Sequence, residues 1–110
     1  MQALALDAKE ATNKFAAYRD ARVRSYAAST HYTDAEKVVA ERIKLCLELV
    51  YRAREVYVTF RKGFIAIKLD AASVRDRKGL EIVERDIAER GVVKVVTAQG
   101  ITYRIPKRVA

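Results

Sequence analysis

The 110-residue chain has no tryptophan and one each of cysteine, histidine, proline, methionine and asparagine. The single cysteine, Cys46, excludes an intrachain disulfide and a thiolate metal cluster within one chain. Flanked by Leu45 and Leu47, it reads as a buried, inert thiol. The lone histidine, His31, rules out a paired-histidine metal site within the chain and sits in the loop-like "STHYT". Neither glycine-rich phosphate fingerprint, G-x-x-x-x-G-K or G-x-G-x-x-G, is present. No metal or cofactor is therefore expected. No apolar run approaches the ~20 residues that cross a bilayer, and Asp7, Lys9 and Glu10 interrupt the stretch a signal peptide would need. The expectation is a cytoplasmic protein with no membrane partner. Scarce Asn, Gln and Met beside abundant Arg, Glu, Lys and Val lean toward a thermophilic source.

What the chain does contain is enough apolar material for one domain, 51% of residues, with 33% charged. Residues 3–28 have helical spacing, with Leu4, Ala8, Ala11, Phe15 and Tyr18 on a narrow Ala-rich stripe that resembles a packing seam. Thr33 followed by Glu36 has the capping-box form, so a second helix is expected over about 34–54. Val39, Ile43, Cys46 and Val50 form one stripe of it, with Val38, Leu45 and Leu49 beside them. A helix that apolar is expected to be covered on more than one side. A third helix carries Leu80, Val83 and Ile87, with Ser73 or Asp76 as N-cap and Gly91 at its end.

Two hairpins follow the second and third helices. In "VYVTFRKGFIAIKLD", a three-residue loop of Arg61, Lys62 and Gly63 with left-handed Gly63 pairs Phe60 with Phe64. Val56, Val58, Phe60, Phe64 and Ala66 then share one face, and Tyr57, Thr59, Ile65, Ile67 and Leu69 the other. Both faces would want cover. Ala98, Gln99 and Gly100 repeat this loop pattern, pairing Thr97 with Ile101 and setting Val93, Val95, Ile101, Tyr103 and Ile105 against Val92, Lys94, Val96, Thr102 and Arg104. Pro106 ends the strand. The order α-αββ-αββ predicts a two-layer α+β domain over residues 1–110: a long N-terminal helix, a core over about 33–106 with helices on one face of a four-stranded antiparallel sheet, and a basic tail at 107–110.

The formal charge is +8, and its distribution points to a partner. Residues 92–110 hold four basic side chains and no acidic one, and residues 56–78 hold six basic and two acidic, whereas residues 79–91 are net acidic. A surface positive on its sheet side fits a polyanion, so nucleic acid is the expected partner, DNA and RNA being undistinguished. The candidate phosphate contacts are Arg61, Lys62, Arg75, Arg77, Lys78, Lys94, Arg104, Lys107 and Arg108; Tyr57 is a stacking candidate, while Tyr103 reads as core. The two-faced first hairpin argues for a homodimer through Ile65, Ile67 and Leu69, with the Phe15 and Tyr18 seam as a second interface.

Two other function classes compete. A self-associating basic protein with two interfaces would also suit a structural or assembly role, such as a virion component or complex subunit contacting protein partners. A small metal-dependent nuclease would need Asp70 and Asp76 as ligands, and the further carboxylates and lysine of such a site are missing, so no catalytic residue is assigned. Residues 79–108 taken alone resemble the last helix and wing of a winged-helix DNA-binding domain. The preceding "FIAIKLD" reads as a strand where that family has a helix, so no recognition-helix role is carried over.

Overall fold

The computed structural model describes the backbone of residues 2–107 and the side-chain environments of residues 16–107. Its elements are α1 (Gln2–Ser29), α2 (Asp34–Val50), β1 (Tyr51–Arg52), β2 (Glu55–Phe60), β3 (Phe64–Asp70), β4 (Ser73–Val74), α3 (Arg77–Glu89), β5 (Val93–Thr97) and β6 (Gly100–Pro106). The fold is α+β. The four long strands form one antiparallel sheet in the order β2-β3-β6-β5, and β1 and β4 form a short ladder beside it.

Local chemistry places the helix ends. Thr33 and Glu36 form the reciprocal capping box at the start of α2, and the Asp76 carboxylate accepts the Gly79 N–H at the start of α3. Gly91, after α3, takes a φ of 79°, a conformation glycine adopts without steric cost. Ala40, Ile43, Leu47 and Val50 recur at helical spacing and turn one face of α2 onto the sheet. Leu80 and Ile87 of α3 join Ile43, Leu47 and Val50 over Ile67, Leu69 and Tyr103 in the main core, while Ala40 packs with Tyr32 and Ile65 in a smaller cluster beside it.

Both hairpins are one residue tighter at the loop than the sequence reading has them. Phe60 pairs with Ile65, and Arg61 N–H bonds the Phe64 carbonyl, so the first turn is Lys62-Gly63. Thr97 pairs with Gly100, leaving Ala98-Gln99 as the second. Gly63 is not at positive φ. A slip of one residue moves every side chain of a strand to the opposite face. The two-faced hairpin disappears: Val56, Val58 and Phe60 share a face with Ile65, Ile67 and Leu69, under α2 and α3. Those last three residues are at most 2% exposed within one chain, so the argument for a dimer through them falls.

Two further expectations are corrected. Cys46 is exposed, because it lies at the rim of the α2–α3 groove and not beneath it. The outward face of α2 is uncovered, with Val38 48%, Leu45 51% and Leu49 71% exposed. Tyr18 is exposed on α1, and the Phe15 side chain lies outside the described residues.

Candidate nucleic-acid interface

The strand registers set out the uncovered face of the sheet as a grid. Reading across β2, β3, β6 and β5, its rows are Arg61, Phe64 and Pro106; Thr59, Ala66, Arg104 and Val93; Tyr57, Lys68, Thr102 and Val95; and Glu55, Asp70, Gly100 and Thr97. Small residues occupy the middle, and a trough of about 490 Å³ runs over them. Tyr57 on β2 and Phe64 on β3 stand as its aromatic walls. The Arg104 guanidinium lies 5.0 Å from the Phe64 ring centroid, a cation–π contact that keeps the charge at the surface.

Positive and negative charge are separated along this face. Arg61, Lys68 and Arg104 serve the end near the first turn and the middle. The acidic end is internally satisfied: Arg54 Nε donates to Asp70 at 2.9 Å, and the Tyr57 hydroxyl donates to Glu55. That bond, with a lesser contribution from burial, raises the Tyr57 hydroxyl above its ordinary pKa and holds the ring in place.

The Lys62-Gly63 turn and Arg61 before it are anchored from several sides. Buried Tyr32, in the loop between α1 and α2, donates its hydroxyl to the Arg61 carbonyl at 2.8 Å and packs its ring 5.6 Å from Phe60. Phe60 N–H donates to Ser25 Oγ on α1, and Lys107 N–H to the Gly63 carbonyl. Lys107 Nζ bonds the His31 carbonyl at 2.6 Å over the Tyr32 ring. With the Arg61 and Gly63 carbonyls and the Arg61 N–H so occupied, the turn presents the exposed Arg61 and Lys62 side chains from a fixed position. His31 contributes a backbone carbonyl to this anchor.

The remaining sequence candidates separate from this cluster. Lys94 lies on the helix-covered side and donates to Glu84 at 2.8 Å, so its charge is already matched. Arg75, Arg77 and Lys78 are exposed at the opposite end of the sheet, around the start of α3. Arg108 lies outside the described residues. Asp70 and Asp76 are engaged with Arg54 and the α3 N-terminus, and no group of three metal-ligating side chains occurs among the described residues. No protein-family model, curated protein or solved structure matches the chain. No helix among the described residues is long and apolar enough to cross a membrane.

Sequence reasoning missed Phe64 and Lys68 because the loop was counted one residue too long, which sent Phe64 to the covered face. The signal that finds them is hydrophobic consistency: only the tighter turn gathers Ile65, Ile67 and Leu69 with Val56 and Val58. Tyr103 is core, as its residue type and strand position suggested, at 1% exposure. Its hydroxyl donates to Glu84 at 2.9 Å and accepts from Tyr51 at 2.8 Å. Burial pulls the Glu84 carboxyl up, but hydrogen bonds from Lys94 and Tyr103 outweigh it and leave it below its ordinary pKa. This chain of polar groups fastens α3 to the sheet.

Proposed function

We propose that the protein binds nucleic acid on the open face of its sheet, with bases stacked against Tyr57 and Phe64 and phosphates met by Arg61, Lys62, Lys68 and Arg104. The observation that carries this reading is the uncovered face itself, where two aromatic walls and a floor of small residues lie among three cations. A flat sheet with exposed rings suits unpaired bases, whose faces are open, better than a duplex, whose bases are stacked inside. The expected ligand is therefore single-stranded. Lys107 extends the basic edge next to the turn, whereas Lys94 is spent on Glu84 and plays no part.

Binding of single-stranded RNA, single-stranded DNA and duplex oligonucleotides across a salt series tests this. Affinity should fall log-linearly with salt, and Lys68→Ala and Arg104→Ala should each reduce the slope by about one. Tyr57→Ala should weaken single-strand binding about tenfold or more with little change in slope. Equal affinity for duplex would overturn the single-strand preference. Absence of binding at low salt would overturn the function.

The second reading, an assembly protein acting through protein contacts, has its own support. The outward face of α2 leaves Val38, Leu45 and Leu49 exposed, and α1 leaves Tyr18, Val23 and Tyr26 exposed. If the basic face binds no nucleic acid, these stripes become the surfaces to explain.

A further inference from the structure

The two edges of the sheet are treated differently. On β2 the outward N–H of Phe60 is taken by Ser25, and α1 packs along that edge. On β5, residues Val93, Val95 and Thr97 point their backbone groups inward, opposite Arg104, Thr102 and Gly100. The alternation of an antiparallel ladder then turns the N–H and C=O of Lys94 and Val96 outward. Nothing among the described residues pairs with them. Native edge strands usually carry a free charge or a proline that discourages pairing. Here the only charge is that of Lys94, which Glu84 holds at 2.8 Å, while Val93 and Val96 are 57% and 68% exposed.

We infer that β5 pairs antiparallel with β5 of a second copy about a two-fold axis through Val95, joining two four-stranded sheets into one of eight strands. The register follows from the chemistry of the edge. Centring on Val95 sets Lys94 opposite Val96 twice, and all the outward N–H and C=O groups of the two residues become bonded across the seam. Centring on Lys94 would oppose two ammonium groups directly, which like charges in a ladder disfavour. Centring on Val96 would oppose Lys94 to Ala98, in the turn. A two-fold perpendicular to the sheet keeps each face on its own side. Val95 meets Val95, and Val93 meets Thr97, on the open face; Val96 meets the Lys94 stem on the helix side.

The consequence is a single open face twice as wide, with the helices of both copies behind it and the two Lys62-Gly63 turns, each with its Arg61, at its outer strands. The pairing itself uses none of the residues assigned to nucleic acid, so it stands or falls separately from that function.

Val95 opposite itself at a non-hydrogen-bonded position would have Cα atoms about 4.5 Å apart, within disulfide reach. In a Cys46→Ser background, Val95→Cys should form a disulfide-linked dimer on mild oxidation, and Val93→Cys, which faces Thr97, should do so at least tenfold more slowly. Sedimentation velocity of the unmodified protein over a concentration series should show a dimer. Val96→Lys, which places a second ammonium opposite Lys94, should weaken that dimer at least tenfold while the far-UV spectrum and melting profile stay those of the parent. A protein that remains monomeric throughout would overturn the inference. So would a dimer that tolerates Val96→Lys and leaves Val95→Cys unlinked, which would move the interface to the α1 or α2 stripe.

Discussion

Ile67 and Lys68 are neighbours in β3, yet one lies at 0% exposure under two helices and the other stands on an open face. The two faces of this sheet divide the work of the molecule. The covered face collects Val56, Val58, Ile65, Ile67, Leu69, Ile101, Tyr103 and Ile105 against α2 and α3, and the polar chain across it, from Tyr51 through Tyr103 and Glu84 to Lys94, is internally satisfied. The open face keeps its middle small, its aromatics at the walls and its cations, toward the first turn, without an ion-pair partner among the described residues. Stability is concentrated on one side and the capacity to meet a ligand on the other. Substitutions at adjacent positions should therefore have unlike effects.

The largest contrast is between those two neighbours. Ile67→Ala removes a fully buried side chain from the centre of the core and should cost about 2–5 kcal/mol in urea denaturation. Lys68→Ala should leave stability within about 0.5 kcal/mol of the parent and reduce the salt slope of nucleic-acid binding. Comparable stability losses from both would break the division between the faces.

Gly100 tests the corner where the faces meet. A Cβ there would run into the Leu69 carbonyl, in backbone that cannot easily shift because Asp70 pairs with Gly100 and Ala71 N–H bonds the Gln99 carbonyl. Gly100→Ala should cost about 1–3 kcal/mol, the range of overpacking strain. A neutral result in thermal denaturation would show that this corner yields.

The polar chain on the covered face gives a pH signature. Burial, then the hydrogen bonds to Tyr51 and Glu84, raises the Tyr103 hydroxyl, and the Glu84 bond, opposed by burial, raises Lys94. Stability from groups raised in this way is present in full below their ordinary values of 10.0 and 10.5 and is lost as pH climbs through the native ones. Glu84 is lowered, so its contribution is present above the ordinary carboxylate range and is lost as pH falls through its native value. Tyr103→Phe should cost about 1–2 kcal/mol at neutral pH by stranding the Tyr51 hydroxyl, and should flatten the alkaline limb. Glu84→Gln should flatten the acid limb. Melting temperatures across pH 2 to 11 would reveal either change.

Much of the covered face was legible from residue types. The capping box at Thr33 and Glu36, the Asp76 cap and the Leu80-Val83-Ile87 spacing are local signals, and local chemistry sets helix ends. The open face was not, because its membership depends on a count of loop residues. Arg61-Lys62-Gly63 satisfies a three-residue loop as well as Lys62-Gly63 satisfies a two-residue one, and each choice sends half a hairpin to a different side. The anchors of the turn were hidden for another reason: Ser25 to Phe60 and Tyr32 to Arg61 span 35 and 29 residues, and no sequence spacing encodes them. Lys94 looked free because its partner Glu84 lies in a different element.

The smallest expected effect lies at Ala71, where β3 leaves the sheet and the chain turns back toward the helix layer. Its φ is 50°, the one positive value among the described non-glycine residues. The left-handed region brings Cβ against the following carbonyl oxygen, a strain of about 1–2 kcal/mol that glycine does not suffer. Glycine also gains more freedom in the unfolded chain, which offsets about 0.4–1 kcal/mol of that relief. The difference leaves Ala71→Gly more stable by several tenths of a kcal/mol, read as a higher urea midpoint at an unchanged m-value. A loss instead would mean that the Ala71 methyl contributes more to the join between sheet and helices than its strain takes away, and the corner would then belong to the covered face.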